Sequence, residues 1–222
     1  MNIIKELISQ IKLVFSSKTI DTIIPPTIYV IIINFFTLEA AISLSLFSAF
    51  FIYYLRYFKD QISKYAVFGL IGVIIAASFT YISKNVTYYF LPDIISSIFF
   101  LLVNIVSLIM KKPFAALLSH ITRGWPIKWY WRKDIKPAYT EVTILWSLTL
   151  ALRAIVEIYI FLNRGLNEMF LTKFILGMPA LIVVLIVTYI YGIWRLHTLE
   201  GPGVDEYINN ANPPWEGQKK GF

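Results

Sequence analysis

Cysteine is absent from all 222 residues, which excludes disulfide staples, thiolate nucleophiles and cysteine-ligated metals. Charge is scarce as well: Asp, Glu, Lys and Arg make up 15% of the chain, against about a quarter in soluble domains. Histidine occurs only at His120 and His197, and neither has a carboxylate or a second histidine at metal-ligand spacing. A Gly-rich phosphate loop, an HExxH and a GxSxG are all missing. These absences argue against an enzyme. No cofactor and no metal is expected.

What fills the sequence is apolar. Hydrophobic residues make up 58%, the mean hydropathy is +0.68, and several runs approach the ~20 residues a helix needs to cross a bilayer. The expected fold is all-α and polytopic. Six transmembrane helices are expected at about 20–36, 39–58, 65–82, 90–110, 138–162 and 174–196. Residues 1–18 read as an amphipathic interfacial helix, with Ile4, Leu7, Ile8, Ile11, Val14 and Phe15 on one side and Lys5, Glu6 and Lys12 on the other. Residues 1–15 lack a signal-peptide core and cleavage site and are expected to persist in the mature chain.

The chain is organised around residues 111–136, KKPFAALLSHITRGWPIKWYWRKDIK, which carry seven of the 20 basic residues and three of the six tryptophans. Positive charge interleaved with tryptophan is the composition of a cytoplasmic membrane interface. Arg123, Trp125, Trp129, Trp131, Arg132 and Lys133 are therefore expected at anionic lipid headgroups. With the N-terminus inside, 16 basic residues fall in inner segments and three (Lys84, Arg164, Lys173) in outer loops. The expectation is an inner-membrane, multi-pass protein with both termini cytoplasmic. The net charge of +7 forms no continuous basic face, so nucleic acid is not expected.

By residue number the chain divides into the interfacial helix 1–18, spans one to four at 19–110, the hinge 111–137, spans five and six at 138–196, and a polar tail 197–222. In spans three and six, Gly69 precedes Thr80-Tyr81-Ile82 as Gly177 precedes Thr188-Tyr189-Ile190. Spans one and four each open with proline beside an acid and each hold an asparagine, Asn34 and Asn104. Three helices repeated in the same order face opposite ways, so these likenesses point to an inverted 3+3 repeat of the kind secondary transporters use.

Arg153 is the sharpest single feature, lying ~22 Å along span five at 1.5 Å per residue. Glu157 follows one turn later on the same face and can pair with it. The candidate substrate-binding set is Arg153, Glu157, Asn34 and Asn104, with Arg153 holding an anionic substrate or lipid headgroup and Glu157 acting as counter-ion or proton carrier. The competing role for the charged pair is helix packing alone. In the tail, Pro213-Pro214-Trp215-Glu216 favours an extended segment that a partner's aromatic groove could take. Residues 201–222 are thus the expected contact for a homodimer or a membrane-complex partner.

Several short motifs resemble a bacterial membrane-protein family known only as a domain of unknown function. They are Ile24-Pro25-Pro26, Tyr89-Phe90-Leu91-Pro92, Lys112-Pro113-Phe114, Leu145-Trp146 with Leu152-Arg153, and Leu176-Gly177-Met178-Pro179. Span four, with its asparagine and Lys-Pro-Phe, is distantly similar to intracellular septation protein A. The resemblance implies an inner-membrane six-helix protein and no particular activity. From the residues themselves two functions stand: a small transporter or lipid-handling protein for an anionic amphipathic solute, and a non-catalytic accessory subunit of a larger membrane complex.

Overall fold

The computed structural model describes residues 17–58, 64–218 and 221–222. The expected interfacial helix at 1–18 falls almost wholly outside them, as does most of the basic loop after span two. The described residues are helical, with no strand among them. They form two compact units, one of residues 1–96 with 156–177, the other of residues 97–155 with 178–222. The divisions fall inside apolar runs.

In the first unit α1 (Ser17–Ile33), α2 (Leu38–Phe58) and α3 (Lys64–Ser83) pack on one another. The turn between α1 and α2 is as tight as the sequence requires. Phe36 N donates to Ile32 O, and the Thr37 hydroxyl accepts from Ala40 N at 3.3 Å, capping α2. The helices meet through small side chains: Ala41, Ser45, Ser48 and Ala49 on α2 are buried, as are Ala76, Ala77 and Thr80 on α3. Each set follows helical spacing, and small residues allow the close backbone approach that helix pairs in apolar surroundings depend on. Gly72, a candidate for such a contact, instead faces open space.

Pro25 and Pro26, at the opening of the first span, do not break it: α1 runs through both. Two prolines in a helix remove two backbone donors. Here the Pro25 carbonyl accepts the Ser45 hydroxyl at 3.1 Å, and Ser45 Oγ lies 2.6 Å from Tyr89 OH. Tyr29 donates to Val86 O at 2.9 Å and stacks on Tyr89 at 4.0 Å between ring centroids. Tyr89 belongs to a 3-10 turn, Val86–Phe90, which Asn85 caps by accepting from Thr87 N, and which leads into α4 (Leu91–Ile109).

The second unit holds the hinge. α5 (Phe114–Arg123) ends on Gly124 at φ 71°, whose N–H closes on His120 O at 2.8 Å, a left-handed cap that favours glycine. Its Ala116 and Ser119 face inward while Leu118 and Ile121 stay exposed. α6 (Ile127–Tyr130) is a single turn. α7 (Lys136–Asn163) has 28 residues, ~42 Å at helical rise.

α8 (Leu166–Leu176) and α9 (Met178–Thr198) share one apolar run, but a break at Gly177 separates them. The sequence reading placed Gly177 inside the first turns of a continuous span. The Gly177 N–H closes on Lys173 O, and a Cβ there would lie 2.4 Å from that carbonyl. Four stretches are long and apolar enough to cross a membrane: Leu38–Phe58, Val86–Ile109, Lys136–Asn163 and Leu166–Thr198. Among the described residues two more apolar helices, Ile23–Ile33 and Val67–Ser83, are shorter. Their length and composition fit a multi-pass membrane protein.

Removing the Ser45 hydroxyl should leave the Tyr89 phenol without its oxygen partner. Ser45→Ala should lower stability by about 1–3 kcal/mol, and adding Tyr89→Phe should cost little more. Thermal unfolding in detergent checks this; a Ser45→Ala variant as stable as the parent contradicts it.

Candidate functional site

Three elements of the first unit bring charge together. Glu157 projects from the later half of α7 and is 0% exposed. Lys173, two turns into α8, places Nζ 2.8 Å from Glu157 Oε2. The same ammonium meets Asp93 Oδ2 in the first turn of α4 at 2.5 Å. One lysine therefore links a carboxylate enclosed by protein to a second that is half exposed, the Asp93 side chain being 51% accessible. Acidic charge in a helix's first turn also suits the dipole there.

Enclosure decides what this cluster costs and what it can do. Taking a carboxylate and an ammonium out of water is expensive, and their attraction offsets it only where geometry is good. Glu157 has met that condition through Lys173, whose side chain is 11% accessible. An ion pair inside apolar helices is held for packing or for moving charge. A lysine touching two acceptors of unequal exposure has somewhere to go, which a simple packing pair lacks.

The remaining candidates distribute unevenly. Asn34, just past α1, forms a reciprocal amide pair with Asn167 of α8: Asn34 Nδ2 donates to Asn167 Oδ1 at 3.1 Å and receives the return bond at 3.3 Å. The pair ties the end of α1 to the helix that bears Lys173. Asn104 belongs to the second unit, is 4% exposed, and donates to Phe100 O of its own helix at 2.8 Å. Arg153, half-buried, also falls in the second unit. Lys173 and Asp93 were missed as site residues. Lys173 had been counted as an outer-loop charge, although Leu171, Phe174 and Ile175 around it are apolar and mark it as part of a helix.

In the second unit the hinge folds into a cluster of its own rather than lying open as a row of anchors. Trp129, expected at headgroups, is 0% exposed; its indole donates to Pro202 O at 2.9 Å. Tyr130 and Tyr139 pack beside it and are equally buried. Burial pushes the Tyr130 phenol above its ordinary value against the opposing pull of Ser119 and Arg123. Trp125 and Trp131 are half-buried around this centre, and Arg123 sits over the Trp125 ring at 5.0 Å.

Arg132 is engaged within the protein too. Its Nε and Nη2 donate to the two Asp134 oxygens at 2.9 and 2.7 Å, and its guanidinium faces Trp215 at 5.2 Å and Tyr207 at 5.9 Å. Hydrogen bonding to Asp134 pushes it further above the ordinary arginine value. Of the six interface candidates, Lys133 alone is fully exposed. At the hinge end of the long helices, Arg195 grips Glu141 with two bonds of 2.8 and 2.9 Å, and Tyr191 OH donates to Glu141 Oε2 at 2.7 Å. This bidentate clamp joins α7 to α9.

The tail, expected to be irregular or extended, is folded onto that cluster. α10 (Val204–Ile208) opens where Glu206 accepts from Gly203 N at 2.7 Å. The same carboxylate accepts from Glu216 N and Gly217 N. The Gln218 amide oxygen takes Val204 N. The Pro213-Pro214-Trp215 stretch thus faces the protein's own Arg132.

Removing Lys173 should be costly because Glu157 stays enclosed. Lys173→Met should destabilise by about 3–5 kcal/mol, and combining it with Glu157→Gln should restore most of the loss. Asp93→Asn, at an exposed position, should cost under about 1 kcal/mol. A double-mutant cycle of denaturation midpoints reads this, and additive single effects would contradict the pairing.

The model of a family described as a protein of unknown function (DUF3159) matches residues 16–196. No curated protein matches the chain, and no solved structure does. The match takes in both units and the whole Glu157–Lys173–Asp93 cluster, while nearly all of the folded tail lies beyond it. On the strength of that coverage, the chain belongs to the DUF3159 family.

Proposed function

We propose that this protein is a small inner-membrane transporter or lipid-handling protein for an anionic amphipathic solute, with six spans and both termini in the cytoplasm. The observation that carries the reading is Glu157, wholly enclosed among apolar helices and held by a lysine it shares with Asp93. An ionisable group kept at such a depth is a functional centre by default. An anionic headgroup or carboxylate has the chemistry to compete with Glu157 for Lys173. In this reading Glu157 is the counter-ion that an entering anion displaces from Lys173.

Two further features support it. α8 has 11 residues, ~16 Å at helical rise and too short to cross a bilayer. It stops at Gly177, four residues beyond Lys173, and interrupted helices are where transporters build ion and solute sites. Matched residues of the suspected repeat also behave alike. Asn34 and Asn104 each donate to the carbonyl four residues back, and so do Thr80 and Thr188, both buried.

The accessory-subunit reading is favoured by one observation. Phe47, Phe50, Phe51, Tyr54, Tyr57 and Phe58 share one exposed face of α2, an aromatic stripe suited to a neighbouring membrane helix. Uptake into proteoliposomes separates the two. With an acid-outside gradient and a panel of radiolabelled fatty and aryl carboxylates and lysophospholipids, wild type should show saturable uptake of at least one. Glu157→Gln should reduce it more than tenfold. Uptake equal to protein-free vesicles across the panel contradicts a transporter.

A further inference from the structure

The second unit contains a slot for a flat ring, and the chain fills it with a residue of its own. Phe222 stacks on Tyr139 with centroids 4.3 Å apart and planes 11° from parallel. On the α9 side the slot is open because residue 192 is glycine: a Cβ there would lie 2.4 Å from the Phe222 ring. Arg123 Nε donates to the Phe222 carbonyl oxygen at 3.0 Å. The slot therefore offers an aromatic floor, a wall without a side chain, and a guanidinium positioned for an oxygen acceptor beside the ring. An aromatic face with an adjacent arginine is the recognition chemistry of an aryl carboxylate.

Two features separate Phe222 from an ordinary core residue. The walls of the slot, Arg123, Trp125, Tyr139 and Gly192, all lie within the stretch matched by the family model, residues 16–196, whereas the occupant lies outside it. The tail is also fastened upstream of the ring. Glu206 closes residues 203–217 on themselves, and Gln218 ties back to Val204. The clasp is closed by Gln218, four positions before Phe222, and makes no use of the ring. Gly221, at φ 78° and packed where a Cβ would meet Arg123 and Trp125, provides the turn that delivers it.

We propose that Phe222 is an exchangeable plug in a binding slot for small aryl carboxylates, the ring lying on Tyr139 and the carboxylate taken by Arg123. The tail is then an intramolecular competitor for the ligand. The slot shares no residue with the Glu157–Lys173–Asp93 cluster, and the proposal rests on the reading above only for its purpose in the cell.

The test is isothermal titration of full-length protein in detergent with 3-phenylpropionate. Phe222→Ala should bind at least tenfold more tightly than wild type, with one site per chain. Phe222→Ala combined with Gly192→Ala, whose methyl group occupies the slot, should lose that gain, and so should Phe222→Ala with Arg123→Gln. Phe222→Leu, which keeps bulk without a ring, replaces Phe222→Ala should the latter not remain monodisperse. Equal affinity in wild type and Phe222→Ala overturns the proposal. So does a gain that survives Gly192→Ala, which would mark partition into the micelle. Transport failing while this binding holds would sink only the transporter reading; the reverse result would sink only the plug.

Discussion

The whole architecture depends on apolar side chains that the other described residues leave largely uncovered. Of the four long apolar stretches, Leu38–Phe58 and Val86–Ile109 have 22% of their most apolar window buried, Lys136–Asn163 has 11%, and Leu166–Thr198 has none. In water such surface would collapse or aggregate. In hydrocarbon it is already solvated, and helices are stable there because their backbone bonds are satisfied internally. Bilayer solvation also explains how the helices associate. With no hydrophobic drive between them, they meet through Ala41, Ser45, Ala76 and Thr80, where packing and hydrogen bonds supply the attraction.

The same solvent sets the terms for polar groups. The Pro25–Ser45–Tyr89 chain and the Tyr29 bond to Val86 give buried hydroxyls and an extra carbonyl their partners. The Glu157–Lys173–Asp93 cluster applies that rule to full charges, at higher cost, because an ion pair is weaker compensation for desolvation than hydrogen bonding is for a hydroxyl. In the second unit several polar tips find partners in the same way: Trp129 on Pro202, Arg132 on Asp134, Arg195 on Glu141. Each is a long side chain whose apolar body packs while its polar tip finds an acceptor.

Helix positions were legible because an apolar run bounded by charge or turn residues has few alternatives. The second span, expected at 39–58, appears as Leu38–Phe58, and the turn before it follows from three residues. Partnerships were not legible, because they join residues far apart in sequence. Glu157 has Arg153 one turn away, and that proximity drew the reading inward along one helix. Lys173, held against it by the fold, had been assigned to a loop since a single charge near a glycine and a proline reads as an exit. The hinge misled for a related reason. Trp125, Trp129 and Trp131 are equivalent by composition, and only the folded tail makes Trp129 a core residue while Lys133 stays exposed. Trp215, in the proline-rich stretch 213–216, meets Arg132, a contact no local pattern encodes.

Alkaline carbonate extraction of membranes from expressing cells tests lipid solvation of these helices most directly. Carbonate strips proteins held by charge or by a partner's surface and leaves those whose helices sit in hydrocarbon. The full chain should remain in the membrane pellet and be released by mild detergent alone. Recovery in the carbonate supernatant as a monodisperse species would contradict the account at its root.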